Sequence, residues 1–436
     1  MNMVYIQKFG SVNDMKGYLS DISIKSNILY EDKLSYNSNF KLYRFIPTCT
    51  GSYEFICNSK FKLCGAIYEE TLCMYVNSAY AIDKNIIKIA TTLLKGKVYY
   101  IKVYTKERKL GDVFYTFNLY NIPMPISSHF KYQWGMFNQR NGIDINIVPV
   151  WKYISKSTIK IGVADTGINY NHINLKNSIN KKLSYNFVHD NNDIYPSNEG
   201  LQKYSAQVGH GTHIAGIISG YPLNKVGIVG IVNNPNVISL KVLGNYTEEC
   251  TIFNKTSDAF VLAIEYAIKH NIRILNCSFS GREFSEKEKK ALERASDILF
   301  VIAAGNDGLD LKVEPVYPAC YGLKNCIIIT AVDESGSLYI KSNYGENVDI
   351  AAPGNNIAST YSDNKYIKAQ GTSVAAPFVS GVCSLILEKN PKLLPQEIKS
   401  IIMHPENVTK IDKLKNKVKC GGILNAYKSI ISCHNT

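Results

Sequence analysis

The sequence predicts an α/β fold, a doubly wound, mostly parallel sheet with helices on both faces, preceded by a smaller all-β sandwich. Three observations carry this. Beyond residue 130, short β-branched runs alternate with helical segments, as strands must when each crosses back through a helix to run parallel with the last. From about Lys41 to Tyr120 the chain offers only strand-like runs of Tyr, Phe, Ile and Val, broken by Gly and polar pairs. Between them, Asn121-Ile-Pro-Met-Pro-Ile-Ser-Ser128 holds two prolines and two serines, the composition of an extended connection. The division that follows is a β-rich accessory domain over 1–122, a linker over 123–129 and an α/β domain over 130–436.

In the first region Val113, Tyr115, Phe117 and Leu119 alternate with Phe114, Thr116, Asn118 and Tyr120, the period of a strand with one buried face. Lys95-Gly96-Lys97 separates the run 86–94 from 98–104. A small antiparallel sandwich of about one hundred residues fits this pattern. In the second region the runs 159–164, 237–243, 272–279, 298–303 and 326–331 read as strands, and 259–268 and 287–296 as helices. Right-handed crossovers then favour an open doubly wound sheet, whose functional groups collect at the C-terminal ends of the strands.

A chain of 436 residues with 45% hydrophobic and 19% charged residues buries a large core, which excludes disordered and low-complexity classes. The net charge of +13 would suit an acidic partner, but the densest cationic stretch, 410–419, alternates Lys with Ile411, Leu414 and Val418 and has no interleaved aromatics. It reads as a solvated face, so no nucleic-acid partner is expected. Lys225 interrupts the longest apolar stretch, so no membrane span is expected either. Lys8, Asp14 and Lys16 fall where a signal peptide needs an unbroken apolar segment. Localisation stays open between the cytoplasm and secretion as part of a processed precursor. The eleven cysteines include no CxxC pair, and free, partly buried thiols are expected. Cys49, Cys57, Cys64 and Cys73 cluster early, and Cys320 with Cys326 is a bridge only where a turn brings them together.

Three motifs carry chemistry. Asp165 ends an apolar run and is followed by Thr166-Gly167, the place either of a turn-capping carboxylate or of a functional one. His210 lies in Gly209-His-Gly-Thr-His213, where flanking glycines allow close approach to the ring. A metal site at His210 and His213 lacks a third ligand, so none is expected; His213 reads as structural and His210 as a base. Ser373 lies in Gly371-Thr-Ser-Val-Ala-Ala-Pro377 at the start of an apolar helix. Such a serine is either an ordinary N-cap or a nucleophile facing free N–H groups and the positive end of the helix dipole. Pro377 favours the second, because it removes the N–H that would pair with the carbonyl of Ser373. A carboxylate, an imidazole and a serine in the chain order Asp, His, Ser are the parts needed for nucleophilic attack on an amide, in the subtilisin order.

The chain resembles the subtilisin-like serine peptidases (subtilases) over about 133–424. The resemblance rests on Gln133-Trp-Gly135, Asp165-Thr-Gly167, His210-Gly-Thr-His213, Lys241-Val-Leu243, Asn276-Cys-Ser278, Ala303-Ala-Gly-Asn306, Asn343-Tyr-Gly345, Ala352-Pro-Gly354 and Gly371-Thr-Ser373 in this order. It implies a subtilisin-like fold and a serine endopeptidase in which Ser373 attacks, His210 is the base and Asp165 orients it. Asn306, with the N–H of Ser373, would form the oxyanion hole. An extended protein or peptide substrate would pair with Ser278-Phe279-Ser280-Gly281. Ser280 replaces a common glycine, Phe378 a frequent histidine, and Asp307 and Glu314 lie near the expected specificity pocket.

Catalysis of this kind requires no cofactor. Many relatives bind structural calcium in a loop after the histidine helix, here 223–227, where Asn224 offers one oxygen and Lys225 repels a cation; calcium is left open. The N-terminal region looks like the small β-sandwich modules that accompany secreted bacterial peptidases, and does not resemble an inhibitory prodomain. Two alternatives stand beside general endopeptidase activity: a dedicated maturation protease for one peptide, and a non-catalytic peptide-binding pseudoprotease. Oligomeric state is not legible in the sequence.

Overall fold

The computed structural model describes residues 22–69, 74–80, 86–107, 111–196, 208–233, 235–244 and 256–433. Cys73 and the first twenty residues, on which two of the sequence arguments fall, lie outside that set. The chain forms two compact units, one running to Met124 and one made of Pro125–Asn138 with Ile143–His434.

Among the described residues the first unit holds eight strands: β1 (Leu29–Leu34), β2 (Phe40–Phe45), β3 (Gly51–Ser59), β4 (Cys64–Glu69), β5 (Met74–Tyr80), β6 (Ile86–Leu93), β7 (Tyr99–Tyr104) and β8 (Val113–Ile122). They pair antiparallel in two four-stranded sheets, β1-β8-β3-β6 and β2-β7-β4-β5. The alternation of β8 sends Tyr115, Phe117 and Leu119 inward, while Phe114 is 68% exposed. Phe117 is fully buried, with its ring 4.4 Å from that of Tyr43 and 5.6 Å from that of Phe55. Two features differ from the sequence expectation. Strand β1 is additional: its charged centre, Glu31-Asp32-Lys33, hides an edge strand that buries only its last residue. Lys95-Gly96-Lys97 joins strands of opposite sheets rather than a paired hairpin, so it is a corner of the sandwich. Asn121 and Ile122 complete β8, paired with Tyr53 and Ser52, up to the residue where the linker of the sequence division begins.

The second unit is built on a nine-stranded sheet. Its members are β9 (Lys160–Asp165), β10 (Tyr185–Asn186), β11 (Asn236–Lys241), β12 (Ile274–Cys277), β13 (Leu299–Ala303), β14 (Cys326–Val332), β15 (Ile350–Pro353), β18 (Val408–Lys410) and β19 (Gly422–Leu424); β16 (Ile357–Thr360) and β17 (Tyr366–Ala369) form a separate hairpin. The order is β10-β11-β9-β12-β13-β14-β15-β19-β18, parallel throughout except for the last pair. The helices are α1 (His210–Ser219), α2 (Thr256–Lys269), α3 (Glu286–Arg294), α4 (Thr372–Lys389), α5 (Pro395–Met403) and α6 (Ala426–Ser432). Sheet order runs in opposite directions on the two sides of β9, which makes the C-terminal end of β9 a topological switch point. The strands there are buried on both faces, hence their unbroken apolar runs. Helix α4 packs on β12 to β15 and is apolar around most of its circumference, as a helix buried in the middle of a domain must be.

Candidate active site

Asp165 is the last residue of β9, fully buried, and a carboxylate there needs a partner. It has two. The N–H of Thr166 donates to Oδ1 at 2.7 Å, and His210 Nδ1 lies 2.8 Å from Oδ1 and 2.9 Å from Oδ2. A carboxylate only accepts, so Nδ1 carries the proton and the lone pair of Nε2 is free. Burial alone lowers the proton affinity of His210, but the charge and hydrogen bond of Asp165 outweigh it, and the imidazole titrates above the ordinary histidine value. Gly211 permits the approach of α1 to β9: a Cβ there would stand 2.3 Å from the carbonyl oxygen of Gly167. His213 faces away from this pair and places Nε2 3.0 Å from the carbonyl of Ile357. Burial and the neighbouring His210 push its pKa down to about 4, so it is a neutral, structural group.

Ser373 is the second residue of α4, not its cap. The cap is Gly371, with φ 128 and no side-chain hydrogen bond, and Ser373 keeps both its hydroxyl and its backbone N–H without a recorded partner among the described residues. Asn306 lies in the turn after β13. Its Oδ1 accepts from the N–H of Thr372 at 2.8 Å. Since an N–H can only donate, the amide orientation is determined, and Nδ2 is a donor with no partner among the described residues. A Cβ on Gly371 would come within 2.9 Å of Asn306 Oδ1, so glycine is what allows the two turns to meet. Asp165 and His210 are thus joined directly, and Asn306 is joined to the turn that carries Ser373. Between His210 and Ser373 no hydrogen bond is recorded among the described residues, although α1 and α4 pack against each other. Such bonds commonly tighten only when substrate is bound.

Ser278, Phe279 and Ser280 continue beyond β12. Ser278 Oγ donates to the carbonyl of Ser373 at 2.7 Å. The ring of Phe279 turns toward α2 and meets Phe260 edge-on at 5.0 Å. The N–H and C=O of Gly281 are both taken by Tyr317 at 2.8 Å. Glu314 pairs with Arg282 at 3.0 Å on the surface, while Asp307 is exposed and gives its backbone N–H to Asn343.

Two residues had no assigned role in the sequence reading. Asn343 is fully buried, accepts from the N–H groups of Asp307 (3.0 Å) and Leu309 (2.9 Å), donates to the carbonyl of Ala304 (2.9 Å), and so shapes the turn presenting Asn306. Thr372 Oγ1 accepts from the N–H of Gly305 at 3.0 Å. Their only sequence signal is membership of the short motifs around glycine.

The site thus joins a buried carboxylate to a partly exposed imidazole, on a helix packed against the one that carries Ser373. The profile of the subtilase family matches residues 156–421. The chain belongs to the subtilase family. This subtilase is similar to subtilisin-like protease 1 of Plasmodium berghei, 32% identical over 317 residues, which cover 65% of this chain and 51% of that protein. It is also similar to subtilisin DY of Bacillus licheniformis, 32% identical over 56% of this chain and 82% of the relative. Among solved structures, a protease of Pseudoalteromonas arctica matches with a TM-score of 0.59 at 25% identity, covering 71% of this chain and all of that one. The chain spans about half the length of the Plasmodium relative.

The subtilase resemblance implies calcium in the loop after α1, and the residues present do not fit it. The buried Asn174 amide donates from one nitrogen to the carbonyls of Tyr221 and Val226, both at 3.0 Å. Its Oδ1 accepts from the N–H of Ile228 (3.1 Å) and the hydroxyl of Tyr366 (2.7 Å), using the full capacity of the amide. The carbonyls of Lys225 and Gly227 take the N–H groups of Ser128 (2.9 Å) and His129 (3.0 Å). No carboxylate takes part in this network, and calcium prefers several. The nine cysteines among the described residues, Cys320 and Cys326 included, are free thiols.

Proposed function

We propose that the protein is a serine endopeptidase that cleaves extended protein or peptide chains through Asp165, His210 and Ser373. The observation that carries this is the joint orientation of His210 and Asn306: one presents a free imidazole lone pair, the other a free amide donor. Ser373 Oγ attacks the scissile carbonyl carbon as its proton passes to His210 Nε2. The carbonyl π pair moves to oxygen, where the N–H of Ser373 and Nδ2 of Asn306 stabilise it. Collapse expels the amine with the proton from His210, leaving an acyl-enzyme. Water, deprotonated by His210, then releases the acid and restores the serine. Asp165 holds the imidazole tautomer and stabilises its charged form.

Backbone pairing along 278–280 makes recognition tolerant of sequence. The N-terminal sandwich is read as an accessory module, since the residues assigned to chemistry all lie in the second unit.

The test is fluorophosphonate labelling of the purified protein beside Ser373→Ala, with the adduct located by mass spectrometry and casein cleavage followed in parallel. Labelling at Ser373 with cleavage, both lost in the variant, is expected. A well-folded protein that is neither labelled nor active would instead be a pseudoprotease or a latent form.

A further inference from the structure

We propose that Ser278 is a positioning residue whose hydroxyl replaces the backbone N–H that Pro377 removes, holding the carbonyl of Ser373 and with it the nucleophile. The proposal rests on the reading of Ser373 as nucleophile.

In α4 the carbonyl of Ser373 should accept from the N–H four residues later. That residue is Pro377, which has no N–H and whose ring crowds the same carbonyl. The helix therefore begins with an orphan acceptor at the residue that must be placed most accurately. Ser278 Oγ lies 2.7 Å from that oxygen. Behind it, Asn276 Nδ2 donates to Ser278 Oγ at 2.8 Å, and Ser380 Oγ donates to Asn276 Oδ1 at 2.8 Å.

The direction of every bond in this chain is forced from one end. A carbonyl only accepts, so the single hydroxyl hydrogen of Ser278 goes to Ser373. Ser278 must then accept from Asn276, which turns its NH2 inward and its oxygen toward Ser380, whose hydroxyl must donate. Asn276 and Ser380 are fully buried and Ser278 is 5% exposed, so water does not compete for these groups. The chain starts and ends on α4, at Ser373 and at Ser380 two turns later, and passes through the end of β12 between. It clamps the first turn of the helix to the sheet. Pinning the carbonyl fixes the backbone of Ser373, whose Cβ bears the attacking oxygen and whose N–H faces the oxyanion.

The experiment is a double-mutant cycle of Ser278→Ala and Pro377→Ala, read by the rate of fluorophosphonate labelling and by kcat and KM on a peptide substrate. In the natural background Ser278→Ala is expected to lower the labelling rate and kcat by about tenfold or more, the scale on which a misplaced reacting group acts, with KM little changed. In the Pro377→Ala background the restored N–H supplies the bond, and Ser278→Ala is expected to have little further effect. Equal fold losses in both backgrounds, or a loss confined to KM as for a substrate contact, would overturn the proposal. If Ser278→Ala does not fold, Ser380→Ala breaks the far end of the chain and enters the same cycle with the same criteria. Should the natural protein not be labelled at Ser373, the nucleophile reading fails separately; exchange of hydroxyl for N–H is then decided by whether the cycle couples in Tm.

Discussion

At the scale of single residues, the site works by restricting hydrogen-bond roles. His210 has one nitrogen committed to Asp165 and one free, and Asn306 has its oxygen committed to Thr372 and its amide free. The imidazole is a base only when neutral, so activity falls as pH drops through its pKa. Because Asp165 holds that pKa above 6.5, the acidic limb of kcat/KM is expected above 6.5. Asp165→Asn should remove the charge that raises it and cost about 10⁴-fold in kcat, the loss known for the same exchange in another serine protease. A limb in the natural protein below 6.5 would contradict the pairing. Asn306→Ala should lower kcat by about 10²–10³-fold with KM nearly constant; that magnitude is the one measured for the asparagine of subtilisin, a relative of this protein. A rise in KM at constant kcat would instead make Asn306 a substrate contact. The candidate reacting residues were legible because each sits in a short motif of small residues at an element boundary. Asn343 and the supporting hydroxyl of Thr372 were not, since buried asparagines and threonines declare a role only through partners distant in sequence.

At the scale of elements, entry into a helix or loop is where sequence and structure are most tightly linked. Gly371 is needed for its φ of 128, and Pro377 leaves an orphan carbonyl that the end of β12 satisfies. In the loop after α1 the Asn174 amide joins the carbonyls of Tyr221 and Val226. Its expected consequence is that EDTA does not change the protection of amides 219–230 in hydrogen exchange compared with calcium buffer. Asn174→Asp, which trades two donated bonds for a charge facing two carbonyls, should lose about 2 kcal/mol or more of stability in EDTA. Faster exchange of the natural loop in EDTA, or an Asn174→Asp protein as stable as the parent, would refute the amide closure. Strand β1 shows the limit of reading elements by pattern: charged residues on an edge strand erase the apolar signal, and only pairing with β8 reveals it.

At the scale of the whole molecule, two units each enclose their own core, and the sandwich is centred on Phe117 among Tyr43 and Phe55. Phe117→Ala should cost about 3–5 kcal/mol in denaturant unfolding through loss of transfer energy and the cavity left behind. A loss under about 1 kcal/mol would mean that this core is not what holds the sandwich. The family assignment concerns the second unit alone, because the matched residues, 156–421, lie within it. By itself the sequence determined the class of each region and named candidates for the reacting groups. These follow from periodicity, turn chemistry and side-chain type, which act over a few residues. Only the tertiary structure decided that Asp165 meets His210, that Asn306 commits its amide oxygen to Thr372, that Asn174 ties the loop after α1, and that Ser278 supplies what Pro377 withholds. Each of these joins residues that are distant in the chain, and the direction of a hydrogen bond exists only once its donor and acceptor face each other.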